Sequence, residues 1–116
     1  RPREDERVPK ATEITDRVER LDALEDRFGI ALEGMYVVYE GGSSPRVIAN
    51  FDVVARGSGP PDYLQVHVSA YNDKGQLIGT EHTYASEEDF VGIVSCSARV
   101  DCPTLPVKVR IYPSKM

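Results

Sequence analysis

The sequence predicts a mainly β fold: an antiparallel, immunoglobulin-like β-sandwich of about six to seven strands, preceded by one amphipathic α-helix. Three observations predict it. Alternating apolar runs recur at spacings of roughly ten to fifteen residues, Gly, Pro, Asn and Asp clusters separate them, and no helical period appears between them to serve as a βαβ crossover.

The chain opens with "RPREDERVPK", which is charged, carries two prolines and has no apolar period. Residues 1–11 therefore read as a flexible lead-in, and 12–116 as one domain. From Thr12 onward Ile14, Val18, Leu21, Leu24 and Phe28 recur at steps of three and four, the spacing that lines one stripe of a helix. A helix over 12–28 follows, with Thr12 or Thr15 as N-cap and Gly29 as the left-handed stop. Glu13 with Arg17 and Asp16 with Arg20 stand at i, i+4, acid first. Its polar face would carry Glu19, Asp22, Glu25 and Asp26, a solvated surface or a docking stripe for a basic partner. The apolar stripe must be buried against the sheet or against a second copy of the chain, because a helix of this length is marginal alone.

Past Gly29 the period becomes two, and the sandwich runs over 30–113. "IALEGMYVVYE" reads as a strand interrupted near Gly34, and "GGSSP" as the turn after it. Val47, Ala49, Phe51, Val53 and Ala55 then alternate with polar or outward positions, with Phe51 as core anchor. "GSGPPD" ends that strand. In the next, Leu64, Val66, Val68 and Ala70 face one way, and Tyr63, Gln65, His67, Ser69 and Tyr71 the other. Gln76–Tyr84 follows, then the acidic "SEED", a strand from Phe90 to Cys96, and a last strand in which Val107, Val109 and Ile111 alternate with Lys108, Arg110 and Tyr112. Pro103 and Pro106 bar a central strand between Cys102 and that last run.

Asn72-Asp73-Lys74-Gly75 has the chemistry of a type I turn closed by a left-handed glycine. A regular ladder from Asn72 opposite Gln76 would set His67 against Glu81 and His82 against Val66, with the two histidines on opposite faces of the sheet and unable to share a metal. Tyr63, His67 and Tyr71, joined across the hairpin by Glu81 and Leu77, form the candidate interaction face, since aromatics contribute much contact area at low entropic cost.

The stretch "VHVSAYNDKGQLIGT" resembles the hairpin of the bacterial FxLYD domain, "VKVRIYPSK" is similar to its last strand, and "RVIANFDVVARGSG" sits where that family has the strand leading into a polar loop. The resemblance covers Val47 to Lys115. It departs from the family in Val68, Ala70 and Asn72, which stand for Phe, Leu and Asp, and in the acidic "SEEDF" before the next strand. What it implies is an immunoglobulin-like sandwich, found mostly in envelope or exported proteins and without an active site.

Composition narrows the function. The chain has 116 residues, 28% of them charged, and a net charge of −5, with a mean hydropathy of −0.36. That charge disfavours a nucleic-acid partner, and no run reaches the ~20 apolar residues of a membrane helix. Neither a nucleophile elbow, a phosphate loop, a dinucleotide fingerprint nor a His-Glu-x-x-His motif is present. The "SEED" run offers carboxylates for Ca2+ but lacks the alternate spacing and glycine of an EF-hand loop. No cofactor, metal site or catalytic residue is expected. Cys96 and Cys102 are candidates for a disulfide worth about 2.4 kcal/mol, which would favour an extracytoplasmic setting over a cytoplasmic one; two reduced thiols beside strands are the alternative. The expected function is a non-enzymatic accessory or interaction module that binds another protein or itself, with a small-ligand or Ca2+ binder as the alternative.

Overall fold

The computed structural model describes residues 11–56, 63–86 and 92–115, with the backbone alone at Tyr63, Ala85, Ser86 and Lys115. Most of the lead-in, "GSGPPD", the acidic residues of "SEED" and Phe90 lie outside the described residues. In chain order the elements are β1 (Ala11–Glu13), a 3-10 turn (Thr15–Arg17), β2 (Val18–Arg20), α1 (Asp22–Arg27), β3 (Ile30–Glu40), β4 (Arg46–Ala55), β5 (Tyr63–Tyr71), β6 (Leu77–Ser86), β7 (Ile93–Asp101) and β8 (Lys108–Lys115). They form two four-stranded sheets, sheet A in the order β1-β3-β4-β7 and sheet B in the order β2-β8-β5-β6. All pairs are antiparallel except β2 with β8, so sheet B is mixed.

The alternation read from the sequence sets the inner faces. Val47, Ala49, Phe51 and Val53 of β4 meet Leu64, Val66, Val68 and Ala70 of β5 in one buried cluster, to which Leu32, Val37, Val100, Val109 and Ile111 contribute. One core shared by two sheets is consistent with a β-sandwich. The interruption near Gly34 is a bulge, a register shift between Glu33 and Tyr36. Pro103 and Pro106 fall between β7 and β8, as their missing N–H groups require.

The predicted helix over 12–28 is not formed. Only Asp22–Arg27 is α-helical, ending at Phe28 and at Gly29 with φ 70°. The stop was legible and the start was not. Upstream of Asp22 the chain is a connector that reaches both sheets: β1 lies on the free edge of β3, and β2 lies parallel on the free edge of β8. Between them Ile14 donates its N–H to the Val37 carbonyl at 2.8 Å, and the Thr15 hydroxyl accepts the Val37 N–H at 3.0 Å. Thr12, Ile14, Thr15 and Val18 are β-branched, so little helical preference opposes this pairing.

The candidate helix stripe is thereby distributed over several elements. Ile14 is wholly buried in the shared core, while Val18 and Phe28 pack against its margin; Leu21 and Leu24, at the start and middle of α1, are half-buried. The apolar residues are inward-facing as expected, without belonging to one helical face.

Glu25 is also corrected. Instead of facing solvent it is 3% exposed, gripped by Arg20 through Nε and Nη2 at 3.1 and 2.8 Å, and it accepts the Leu32 N–H at 3.1 Å. The carboxylate raises the Arg20 pKa above its ordinary value. Fork-to-carboxylate geometry of this kind satisfies a charge that could not otherwise be buried, and it fixes α1 against the start of β3.

Candidate interaction face

The outer surface of sheet B is built by the β5–β6 hairpin and β8. The turn has the predicted chemistry. The Asn72 side-chain oxygen accepts the N–H groups of Lys74 and Gln76, both at 2.9 Å, Gly75 donates to the Asn72 carbonyl at 3.0 Å, and Gly75 has φ 77°. The ladder beyond it is not regular. Tyr71 pairs with Leu77, but Ala70 pairs with Gly79, so Ile78 is one residue extra.

Gly79 shows what the bulge accommodates: a Cβ there would lie 2.5 Å from the Asp101 carbonyl oxygen and 2.9 Å from Val100 Cγ1. β6 crosses the end of β7 at a distance only glycine permits.

One extra residue moves every later side chain of β6 by one position. His67 therefore faces His82, not Glu81. The expectation that the imidazoles lie on opposite faces is overturned. Their ring centroids are 5.8 Å apart. Glu81 pairs with Val68 and leaves the candidate face; its Oε1 accepts the His82 backbone N–H at 3.1 Å and lies 3.9 Å from His82 Nδ1. On an edge strand, a charge turned toward the inner face also discourages pairing with other chains.

His67 stacks on Tyr112 of β8, with centroids at 5.3 Å and planes at 16°, and its Nε2 is 2.7 Å from the Ser114 hydroxyl. His82 meets Tyr84 edge-on at 5.0 Å, with 2.7 Å between Nε2 and the phenol oxygen. Tyr84, His82, His67 and Tyr112 thus form a continuous aromatic row across β6, β5 and β8. Partial burial, followed by the neighbouring imidazole of His82, holds the His67 pKa below its ordinary value.

Beside this row Tyr71 lies under the Arg110 guanidinium, 5.4 Å from ring centroid to Cζ. Arg110 Nε donates to Glu19 of β2 at 2.8 Å, and Lys108 stands 3.8 Å from the same carboxylate oxygen. That hydrogen bond raises the pKa of Arg110 and lowers that of Glu19. Ser69 and Thr80 join their hydroxyls at 3.1 Å.

No family model, curated protein or solved structure matches the chain significantly.

Of the candidate interaction face, His67 and Tyr71 are where the alternation put them, Glu81 is displaced, and the Tyr63 side chain lies outside the described residues. Sequence reasoning missed His82, Tyr84, Tyr112 and Arg110 as members. The i, i+2 spacing of His82 and Tyr84 marked them as companions on one face, but which face depended on the unseen bulge.

The candidate disulfide is not formed: Cys96 and Cys102 are both free. Cys96 lies within β7, and Cys102 directly follows its end. Six residues of extended chain span roughly 20 Å, whereas a bridge needs Cα atoms ~4.4–6.8 Å apart. Burial pushes both thiols up, away from the reactive thiolate. Among the described residues no group of three or more His, Cys, Asp or Glu is placed to hold a metal ion, and no helix is long and apolar enough to cross a membrane.

Proposed function

We propose that the chain is a non-enzymatic β-sandwich module that presents the outer face of sheet B to another protein. The row Tyr84, His82, His67 and Tyr112 carries this reading. It places four flat, polar-tipped rings side by side on solvent-facing strands, with Tyr84 54% exposed, and tyrosine is among the residues that dominate binding energy at protein interfaces. Hydrogen bonds to Ser114 and within the His82–Tyr84 pair already restrict their rotamers, which lowers the entropic cost of contact.

The relation to FxLYD-like domains belongs to the same proposal. The Asn72–Gly75 turn and the two-sheet frame support it. With no bridge between Cys96 and Cys102, the resemblance alone supports an exported setting.

Photo-crosslinking tests the reading. A crosslinker at position 84 should capture a partner protein, while one at Tyr36, exposed on the outer face of sheet A, should not. Capture from position 36 alone would overturn it, and a crosslink between two copies at position 84 would make the partner the chain itself. The alternative of a Ca2+ site at "SEED" concerns residues outside those described.

A further inference from the structure

We propose that His67 and His82 form a two-imidazole site for a borderline divalent cation such as Zn2+ or Cu2+. The bulge at Ile78 places the two rings on adjacent strands of one face, 5.8 Å between centroids. Two imidazoles ligating one tetrahedral zinc ion at ~2.0–2.1 Å have centroids roughly 5 Å apart. A small rotation of the His82 side chain, which is 39% exposed, closes the difference.

Each Nε2 is held at 2.7 Å by a hydroxyl, Ser114 for His67 and Tyr84 for His82. With the proton on Nε2, each Nδ1 keeps its lone pair for a metal. A hydrogen bond from the non-ligating ring N–H to an outer partner is the arrangement that orients metal-bound histidines. Ser114 and Tyr84 are thus positioning residues.

The Glu81 carboxylate, 3.9 Å from His82 Nδ1, adds favourable negative charge beside the site. No cation competes in the row itself; the nearby basic residues Arg110 and Lys108 are both engaged by Glu19. Two protein ligands leave the remaining coordination positions to water, as a closed structural zinc site does not. The cation should therefore be exchangeable, with Cu2+ bound more tightly than Zn2+ and Ca2+, which takes oxygen ligands, not bound there.

The sequence contains only two histidines, which makes the test direct. Untagged full-length protein is titrated with ZnCl2 while the imidazole NMR signals are followed, and the titration is repeated with CaCl2. Both imidazoles should shift together along one isotherm with Zn2+, and neither with Ca2+. His67→Gln and His82→Gln should each weaken Zn2+ binding at least ~10–100-fold, the range that loss of an outer-shell partner alone produces. The proposal is overturned if Zn2+ moves neither ring or only one, if Ca2+ moves both equally, or if the double variant binds Zn2+ as tightly as the native chain. Because the readout uses metal alone, failure here leaves the protein-binding reading standing, and failure of the crosslinking test leaves the metal site standing.

Discussion

Ala11–Gly29 lends three residues to the edge of sheet A and three to the edge of sheet B, whereas the β5–β6 hairpin pairs within a single sheet along its whole length. The conformation of the first is imposed from outside: Val37, Val109 and Leu32, all remote in sequence or across a turn, receive its backbone, its core side chains or its buried carboxylate. That of the second starts from its own turn, where Asn72 and Gly75 close the loop without help. Distant partners decide the connector, and local chemistry decides the hairpin, except at the one point where β7 passes beneath Gly79.

If the connector is integral, removing it should have the largest effect. Deletion of residues 1–29 strips both edge strands, Ile14, Phe28 and the Arg20–Glu25 pair. Ile14→Ala alone should cost about 2–5 kcal/mol, against a typical domain stability of ~5–15 kcal/mol. The truncated chain should lose its cooperative thermal transition by circular dichroism, and a sharp melt near that of the full chain would show that the connector is dispensable.

Next comes Arg20→Ala, which leaves a buried carboxylate without its cation. Arg20 is 41% exposed, so the expected loss is about 2–3 kcal/mol, below the ~3–5 kcal/mol of a fully buried pair. Urea denaturation measures it. A change within error would mean that water reaches Glu25.

Gly79→Ala probes the exception in the hairpin. The new methyl would press on the Asp101 carbonyl and Val100, and the expected destabilisation is about 1–3 kcal/mol. An unchanged urea midpoint would indicate that β6 does not approach β7 so closely.

The smallest effect is a pH dependence. The native state holds the His67 pKa below that of the unfolded chain, so the unfolded state takes up the proton first. The contribution of His67 is full above about pH 6.5 and declines as pH falls through that value toward the native pKa. His67→Gln should flatten this part of the stability profile, and an identical profile in the variant would remove His67 as its source.

The same contrast governs what could be read from residues alone. Strands β4 and β5 were legible because Leu64 to Ala70 alternate without exception and Val47 to Val53 do so with only Ile48 apolar among the outward positions, and two buried faces leave no other register. The Asn72–Gly75 turn and the Gly29 stop were legible because each depends on a few neighbouring residues. The connector was not, since the spacing of Ile14, Val18, Leu21, Leu24 and Phe28 satisfies a helix as well as it satisfies a chain that dips repeatedly into a core. What separates the two is pairing with Val37 and Val109, which no local window contains. For the candidate face, His67 and Tyr71 followed from alternation. The partnership with His82 did not, because it hangs on the backbone of Asp101 lying under Gly79. The bridge between Cys96 and Cys102 failed for a related reason: nearness in sequence is distance in space along an extended strand.

The bulged register of the β5–β6 ladder is the claim on which the face, the metal site and the pH dependence all depend. A nuclear Overhauser spectrum of the native chain tests it most directly: cross-strand contacts should join His67 to His82 and Ala70 to Gly79. Contacts joining His67 to Glu81 and Val66 to His82 instead would contradict it.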